Sequence, residues 1–184
     1  MASFEDLWIE TSRLILRKIR PEDVDGFFAI YSDHIALKYW SHGPFTDRVQ
    51  AEVAVANRVQ SWHEGESLCI VMEEPDSGRM VGTISLYSFA KESQRAEIGY
   101  ILHREFWGRG LATEGVGRVV MYAFDTLGLN RLEADIDPAN RGSAALLEKL
   151  GFILEGKLRE RWIVNGVVSD SHIYGLLRGD DVKK

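Results

Sequence analysis

The segment Tyr100–Glu114, which reads YILHREFWGRGLATE, carries the most informative chemistry in the sequence. Gly108 and Gly110 let a backbone come close to a ligand and turn its N–H groups inward. From Leu111 onward the pattern is helical. The first amides of a helix have no intrahelical acceptor, and its N-terminus carries about half a positive charge. A loop and a helix start of this kind suit a pyrophosphate, even in an acidic protein. Arg104 and Arg109 flank the loop and add charge. The other reading of the loop taken alone is a tight glycine turn with no ligand. Gly115 and Gly117 lie inside the helix, where each costs about 1 kcal/mol relative to alanine. Their backbone must therefore lie against something, a neighbouring strand being the plainer choice and the ligand the other.

The elements that must position this loop follow from periodicity. Arg13–Ile19 alternates apolar and basic residues, as a half-buried strand does. Pro21 with Glu22 and Asp23 makes a first helical turn, followed by Val24, Phe27, Phe28 and Tyr31 at helical spacing. After an aromatic, turn-rich stretch from Tyr39 to Phe45, Thr46 caps a second helix with the stripe Val49, Val53, Ala56, Val59 and Trp62. Strands are expected over Leu68–Met72, Met80–Tyr87, Ala96–His103 and Arg131–Ile136. A helix from Leu111 ends at Gly128, and a shorter one runs from Asn140 to Leu150. The tail holds two segments joined by Asn165-Gly166, the strongest two-residue hairpin signal. The order β-α-α-β-β-β-α-β-α-β-β describes one α/β domain, a mixed and mostly antiparallel sheet with helices on both faces. The unit from Ala96 to Ile136 requires a parallel crossover.

Composition limits what such a domain can be. A chain of 184 residues, 45% hydrophobic and 27% charged, forms a single packed core and is neither disordered nor a disulfide scaffold. With 22 Lys plus Arg against 28 Asp plus Glu, the net charge is −6. Binding to nucleic acid or an anionic membrane through overall charge is not expected. The single cysteine, Cys69, lies within an apolar strand, reads as core and fits a reducing compartment. The first residues show no basic region followed by an apolar run, so no leader is expected. No stretch approaches 18 apolar residues. The expectation is a cytoplasmic soluble protein. The five histidines show no metal spacing, and His103, near the loop, reads as ordinary packing.

Strand, glycine loop, helix, strand and then Glu133 and Asp135 also imitate a dinucleotide-binding unit of an oxidoreductase. That fingerprint needs a small residue three positions after its second glycine, where Thr113 stands, and two crossover units, where one is readable.

The segments Glu97-Ile-Gly-Tyr, Phe106–Glu114 (FWGRGLATE) and Asn140–Phe152 (NRGSAALLEKLGF) resemble the GCN5-related N-acetyltransferase (GNAT) superfamily. With Thr11–Arg17 (TSRLILR), Asp170 and Tyr174, the chain looks closest to the branch of the ribosomal-protein alanine and serine N-acetyltransferases. The resemblance spans about residues 11–178 in the same element order. It implies a GNAT-like sheet with a central, splayed parallel strand pair. It also implies acetyl-CoA as cosubstrate, no metal, direct acetyl transfer to a primary amine, and relatives that often pair as homodimers. A non-catalytic acyl-CoA-binding module on the same scaffold is the alternative outside enzymology. Ile101 and Leu102 would offer backbone groups to the pantetheine arm, and Trp107, Gly108, Arg109, Gly110, Leu111 and Ala112 would meet the pyrophosphate. Glu105 departs from the superfamily pattern, which usually has Gln or Arg there. Its carboxylate is expected to point away, leaving the contact to backbone amides.

The resemblance also implies catalytic roles. Ser143, in the first turn of the helix after the Ile136 strand, is assigned as the acid that protonates the departing thiolate; its alternative is a serine bonding local backbone. Asn140 bonds the pantetheine arm, caps the helix, or does both. Glu97 shares a strand face with Gly99 and Ile101, where a glycine leaves room for a carboxylate-held water; its alternative is a solvated cross-strand charge. Glu160 is the second candidate base or a substrate-orienting acid, with a surface charge as alternative. Tyr39, Trp40, Phe45 and Trp162 wall the acceptor site or serve as core and cover. The acceptor itself, a peptide N-terminus or a small-molecule amine, has no readable code.

Overall fold

A computed structural model describes residues 7–180. The leader reading of residues 1–6 lies outside them. Eight strands form one sheet in the order β1-β2-β3-β4-β5-β6-β8-β7. In chain order these are β1 (Trp8–Glu10), β2 (Ile15–Lys18), α1 (Val24–Tyr31), α2 (Arg48–Glu64), β3 (Leu68–Glu73), β4 (Met80–Ala90) and β5 (Arg95–Leu102), then α3 (Leu111–Asp125), β6 (Arg131–Ile136), α4 (Arg141–Leu150), β7 (Ile153–Val164) and β8 (Val167–Leu177). The first five strands form an antiparallel meander. Among the described residues only β5 and β6 are parallel, joined through α3.

β3 explains why helices must cover both faces. Its run Leu68–Met72 is buried throughout. Leu68, Ile70 and Met72 pack with Val116, Val119 and Val120 of α3, whereas Cys69 and Val71 pack with Phe27 and Ile30 of α1 and Val55 of α2. A strand apolar at every position has no face to give to water.

Local signals fixed several ends. Asn165 and Gly166 both take positive φ (49° and 78°), as a two-residue hairpin turn requires. Gly151, in the left-handed region at φ 97°, closes α4. At Gly115 an added Cβ would sit 2.7 Å from the Met72 sulfur, so this helix backbone is pressed on the sheet. Gly117 differs: its Cβ would meet Leu150 of α4 at 3.2 Å, a helix contact rather than a strand contact.

Other expectations need correcting. β1 was not foreseen, because three residues carry too little periodicity to register. Pro21–Asp23 forms a separate 3₁₀ turn before α1. The cap of α2 is Asp47, whose side chain accepts from the Val49 N–H at 2.9 Å, while Thr46 donates to Gln50. The buried face of α2 is Ala51, Val55 and Trp62; Val49 and Val53 are 57% and 55% exposed, and Ala56 is also exposed. Val49 and Val53 share helical spacing with one another but lie on the face turned away from Ala51 and Val55, which pack in the cluster with Phe27, Ile30 and Tyr31, so periodicity alone did not choose the buried face. β4 runs on to Ala90, and β5 is shifted one residue toward the N-terminus, with His103 starting the turn that leads to the glycine loop.

Candidate active site

The parallel pair holds together for only three rungs, Arg95–Arg131, Ala96–Leu132 and Glu97–Glu133. Beyond Glu97 the β5 edge facing β6 has no strand partner, although β5 stays paired to β4 as far as Leu102. A cavity of about 820 Å³ opens in this gap. Its walls include Gly99–Leu102 of β5, Ala134–Ile136 of β6, the loop and first turn of α3, and the first turn of α4.

One end of the cavity is built from backbone. Gly108 and Gly110 take φ of 73° and 75°, a region that L side chains enter at a cost. A Cβ at Gly108 would meet nothing, so conformation rather than space calls for glycine there. The first intrahelical bond of α3 runs from the Glu114 N–H to the Gly110 carbonyl (3.1 Å). The amides of Leu111, Ala112 and Thr113 therefore lack helical acceptors beside the cavity. A cradle of free amides, a helix dipole and an unpaired strand edge fits a diphosphate followed by an amide-bearing arm.

Charged side chains near the loop are otherwise engaged. Glu105 ion-pairs with Arg79, which holds its carboxyl below the usual range, and it is turned away from the loop as expected. Arg104 pairs with Asp33 at 3.0 Å. The Arg109 guanidinium sits over the Phe106 ring (5.4 Å) and does not line the cavity, so its expected phosphate contact is not formed by the side chain. The Trp107 indole N–H donates to the Leu102 carbonyl at 3.1 Å, which occupies one of the backbone acceptors expected to face the arm. His103 accepts from the Glu105 N–H and packs edge-on against Phe106.

The catalytic candidates separate. Asn140 caps α4, accepting from the Ser143 N–H at 3.1 Å, and also lines the cavity. The Ser143 carbonyl accepts from Tyr100 (3.3 Å), while the Ser143 hydroxyl has no hydrogen-bond partner among the described residues. A serine with its backbone fixed at both ends and its hydroxyl free in a cavity is poised to donate. Burial pushes the Tyr100 hydroxyl well above its ordinary pKa, so it stays a neutral donor.

Glu97 stands at the last paired rung and has no hydrogen-bond or ion-pair partner among the described residues, but it does not itself line the cavity. The space above Gly99 is filled by the Tyr87 ring, 3.4 Å from where a Cβ would sit. Burial pushes the Tyr87 hydroxyl up to about 12, and the charges of Glu97 and Asp135 add to the rise. The structure does not bring Glu160 to the cavity. It lies exposed in a bulge of β7 at φ 51°, its N–H bonded to Asp170 (2.9 Å).

Of the aromatic residues expected to wall an acceptor site, Tyr39 and Trp40 line the cavity. Phe45 does not; it stacks with Tyr31 and His42 in the α1–α2 core. Trp162 does not line the cavity either; it donates to Asp135 at 3.3 Å. Asp135 also accepts from Arg161 (2.8 Å) and from Ser171, and it lines the cavity. In the sequence Asp135 stands out only as part of the dinucleotide imitation. Its place at the open end of a strand in the parallel pair was the signal available.

Comparison with known proteins agrees with this geometry. A family model described as an acetyltransferase (GNAT) domain matches residues 13–153. An uncharacterized N-acetyltransferase, p20, of Bacillus licheniformis is 37% identical over 170 residues, covering 91% of this chain and 94% of the relative. Among solved structures, the ribosomal-protein-S5-alanine acetyltransferase of Vibrio fischeri superposes with a TM-score of 0.85 at 21% identity, covering 97% of this chain and 100% of that one. Spermidine N-acetyltransferase of Vibrio cholerae, in complex with CoA and spermine, superposes with a TM-score of 0.81 at 23% identity, covering 91% and 97%. Among the described residues one parallel pair is formed, against the two crossover units that a dinucleotide-binding fold needs. The splayed strands, the amide cradle and the family match lead to one conclusion: this chain belongs to the GNAT acetyltransferase family and is an N-acetyltransferase.

Proposed function

We propose that the protein transfers the acetyl group of acetyl-CoA directly to a primary amine, and that the α-amine of a peptide is the favoured acceptor class. The observation that carries the cosubstrate is the gap between β5 and β6, which opens beside the positive-φ glycines and unsatisfied amides of α3. Gly108, Gly110, Leu111 and Ala112 hold the diphosphate, and the free edge at Ile101 bonds the pantetheine arm as a strand would.

The amine nitrogen attacks the thioester carbonyl carbon. A C–N bond forms, the C–S bond breaks, and no enzyme-bound acyl group is needed. Ser143 donates its hydroxyl proton to the departing thiolate and regains one from solvent. Cys69 takes no part: burial pushes its thiol up to about 11. Glu97, through water, takes the proton that the amine loses, beside the neutral hydroxyl of Tyr87.

The acceptor preference rests on proton chemistry. Lysine has a reference pKa near 10.4 and a backbone α-amine near 7.7–8.0, so near pH 7 about a tenth of α-amines are neutral against fewer than about one lysine in a thousand. A site whose base works at one remove serves the α-amine best.

A thiol-release assay with acetyl-CoA tests this across peptides beginning with Ser or Ala, lysine-bearing peptides with blocked N-termini, and polyamines. Free peptide N-termini are expected to give the highest kcat/KM. Turnover confined to polyamines would overturn the acceptor class, and no coenzyme A-dependent rise in melting temperature would overturn the cosubstrate assignment.

A further inference from the structure

A strap from the far edge of the sheet reaches the glycine loop. The turn between β1 and β2 is closed by Thr11, whose N–H donates to the Leu14 carbonyl (2.8 Å) and whose hydroxyl oxygen accepts from the Leu14 N–H (2.9 Å). This turn delivers Thr11, Ser12 and Arg13 to one carboxylate, that of Glu114 in the first turn of α3. Glu114 accepts from the Thr11 hydroxyl at 2.6 Å, the Ser12 hydroxyl at 2.9 Å, the Arg13 N–H at 2.9 Å and the Arg13 Nε at 2.7 Å. Burial draws the Glu114 carboxyl upward in pKa, and these bonds outweigh it and hold the group below its ordinary value. Arg13 also donates from Nη1 to the Arg109 carbonyl at 2.8 Å.

Two consequences follow for the loop. A trans peptide directs its C=O and N–H to opposite sides, and no described peptide bond is cis. Drawing the Arg109 carbonyl toward Arg13 therefore turns the Gly110 N–H away from Arg13. Gly108, Gly110 and Leu111 line the cavity, whereas Arg13 and Arg109 do not. The second consequence is electrostatic. A bare carboxylate in the first turn of α3 would oppose a bound diphosphate, and Arg13 places a full positive charge against it in a two-point contact. The local helix preference for an acid near its N-terminus is kept while its cost to anion binding is offset.

We propose that Arg13, with Thr11, Ser12 and Glu114, forms a positioning device that sets the direction of the Arg109–Gly110 peptide and neutralises the helix start for the diphosphate of the cosubstrate. None of these residues touches the reacting atoms. Arg13 is a positioning residue, and the inference rests on the cosubstrate reading above.

The test is coenzyme A affinity, measured by calorimetry on the full chain, with hydrogen exchange of the amides of residues 108–113. Arg13→Ala is expected to weaken coenzyme A binding roughly 30-fold and to speed exchange of those amides. The loss is expected to fall on KM for acetyl-CoA more than on kcat, because Arg13 lies outside the cavity and touches none of the proposed reacting groups. Arg13→Lys keeps the charge but cannot bond Glu114 and the Arg109 carbonyl with one planar fork, so about a 5-fold loss is expected. Parent-like affinity in Arg13→Ala, with the parent protein binding coenzyme A, would overturn the positioning role alone. Parent-like affinity in Arg13→Lys would overturn the peptide-orienting part and leave charge as the whole effect. A parent protein that does not bind coenzyme A would overturn both the cosubstrate reading and the device built on it.

Discussion

The two ends of the cavity are made of different materials. At the end proposed for the cosubstrate the lining is one short segment, Trp107, Gly108 and residues 110–113, which offers free main-chain amides while the charged side chains of Arg104, Glu105 and Arg109 are engaged elsewhere. At the end proposed for the acceptor the lining draws side chains from separate elements: Tyr39 and Trp40 before α2, and Asp135 on β6, which is held by Arg161, Trp162 and Ser171 from β7 and β8. Backbone recognition is insensitive to the exact side chains and suits a cosubstrate of fixed chemistry. Side-chain recognition changes with each substitution and suits the choice of acceptor. Ser143 lines the same cavity, its main chain held by Tyr100 and Asn140 and its hydroxyl without a hydrogen-bond partner among the described residues.

Gly110→Asp attacks the backbone end with the largest expected effect. It puts an L residue at φ 75° and a carboxylate beside the diphosphate, next to an Arg13 guanidinium only 3.6 Å from where its Cβ would stand. Coenzyme A affinity is expected to fall at least about 100-fold, near 2.7 kcal/mol, with the circular dichroism spectrum unchanged. Undiminished affinity would remove the amide cradle as the binding element. Next in size, Ser143→Ala is expected to lower kcat by about 10²-fold, in the usual range for a lost general acid, with coenzyme A affinity kept within about 3-fold. An unchanged kcat would take Ser143 out of the reaction; a large loss of affinity would move it to the cosubstrate end. Asp135→Asn sharpens the contrast from the other side with the smallest effect. It keeps the shape of the clamp on Arg161 and Trp162 while removing a charge from the acceptor end. A rise of about 5-fold in KM for the amine is expected, with coenzyme A affinity unmoved. A shift in coenzyme A affinity instead would mean that the two ends are not separable.

Legibility followed the same division. Gly108 and Gly110 before a periodic helix announced the cradle, because φ preference and helix-end chemistry are properties of neighbouring residues. The outward turn of Glu105 followed from charge repulsion once the resemblance had set a diphosphate beside it. The acceptor end was read less well. Phe45 was grouped with Trp40 by proximity in sequence, yet the chain turns between them and sends Phe45 into the stack with Tyr31 and His42. Glu160 was chosen for its residue type, and a bulge in β7 carries it to solvent. Glu97 was credited with room above Gly99 that Tyr87 fills from the adjacent strand. Each miss concerns which distant side chain arrives at a given space.

Residue order alone determined the strand–loop–helix unit around Gly108 and Gly110, the start of α3, the ends of α4, the turn at Asn165-Gly166 and an apolar β3 that demands cover on both faces. These depend on dihedral preference, hydrogen-bond geometry within a few residues, and periodic burial. The end of α3 was not among them: the helix stops at Asp125, short of the Gly128 stop expected. Only the tertiary structure decided that β5 and β6 part after three rungs, that Thr11–Arg13 reaches Glu114 about a hundred positions later, and that Asp135 gathers donors from the terminal hairpin. Contacts between residues so far apart in the chain arise only when packing the core closes the intervening loops. Local preference carries no record of which partners that closure brings together.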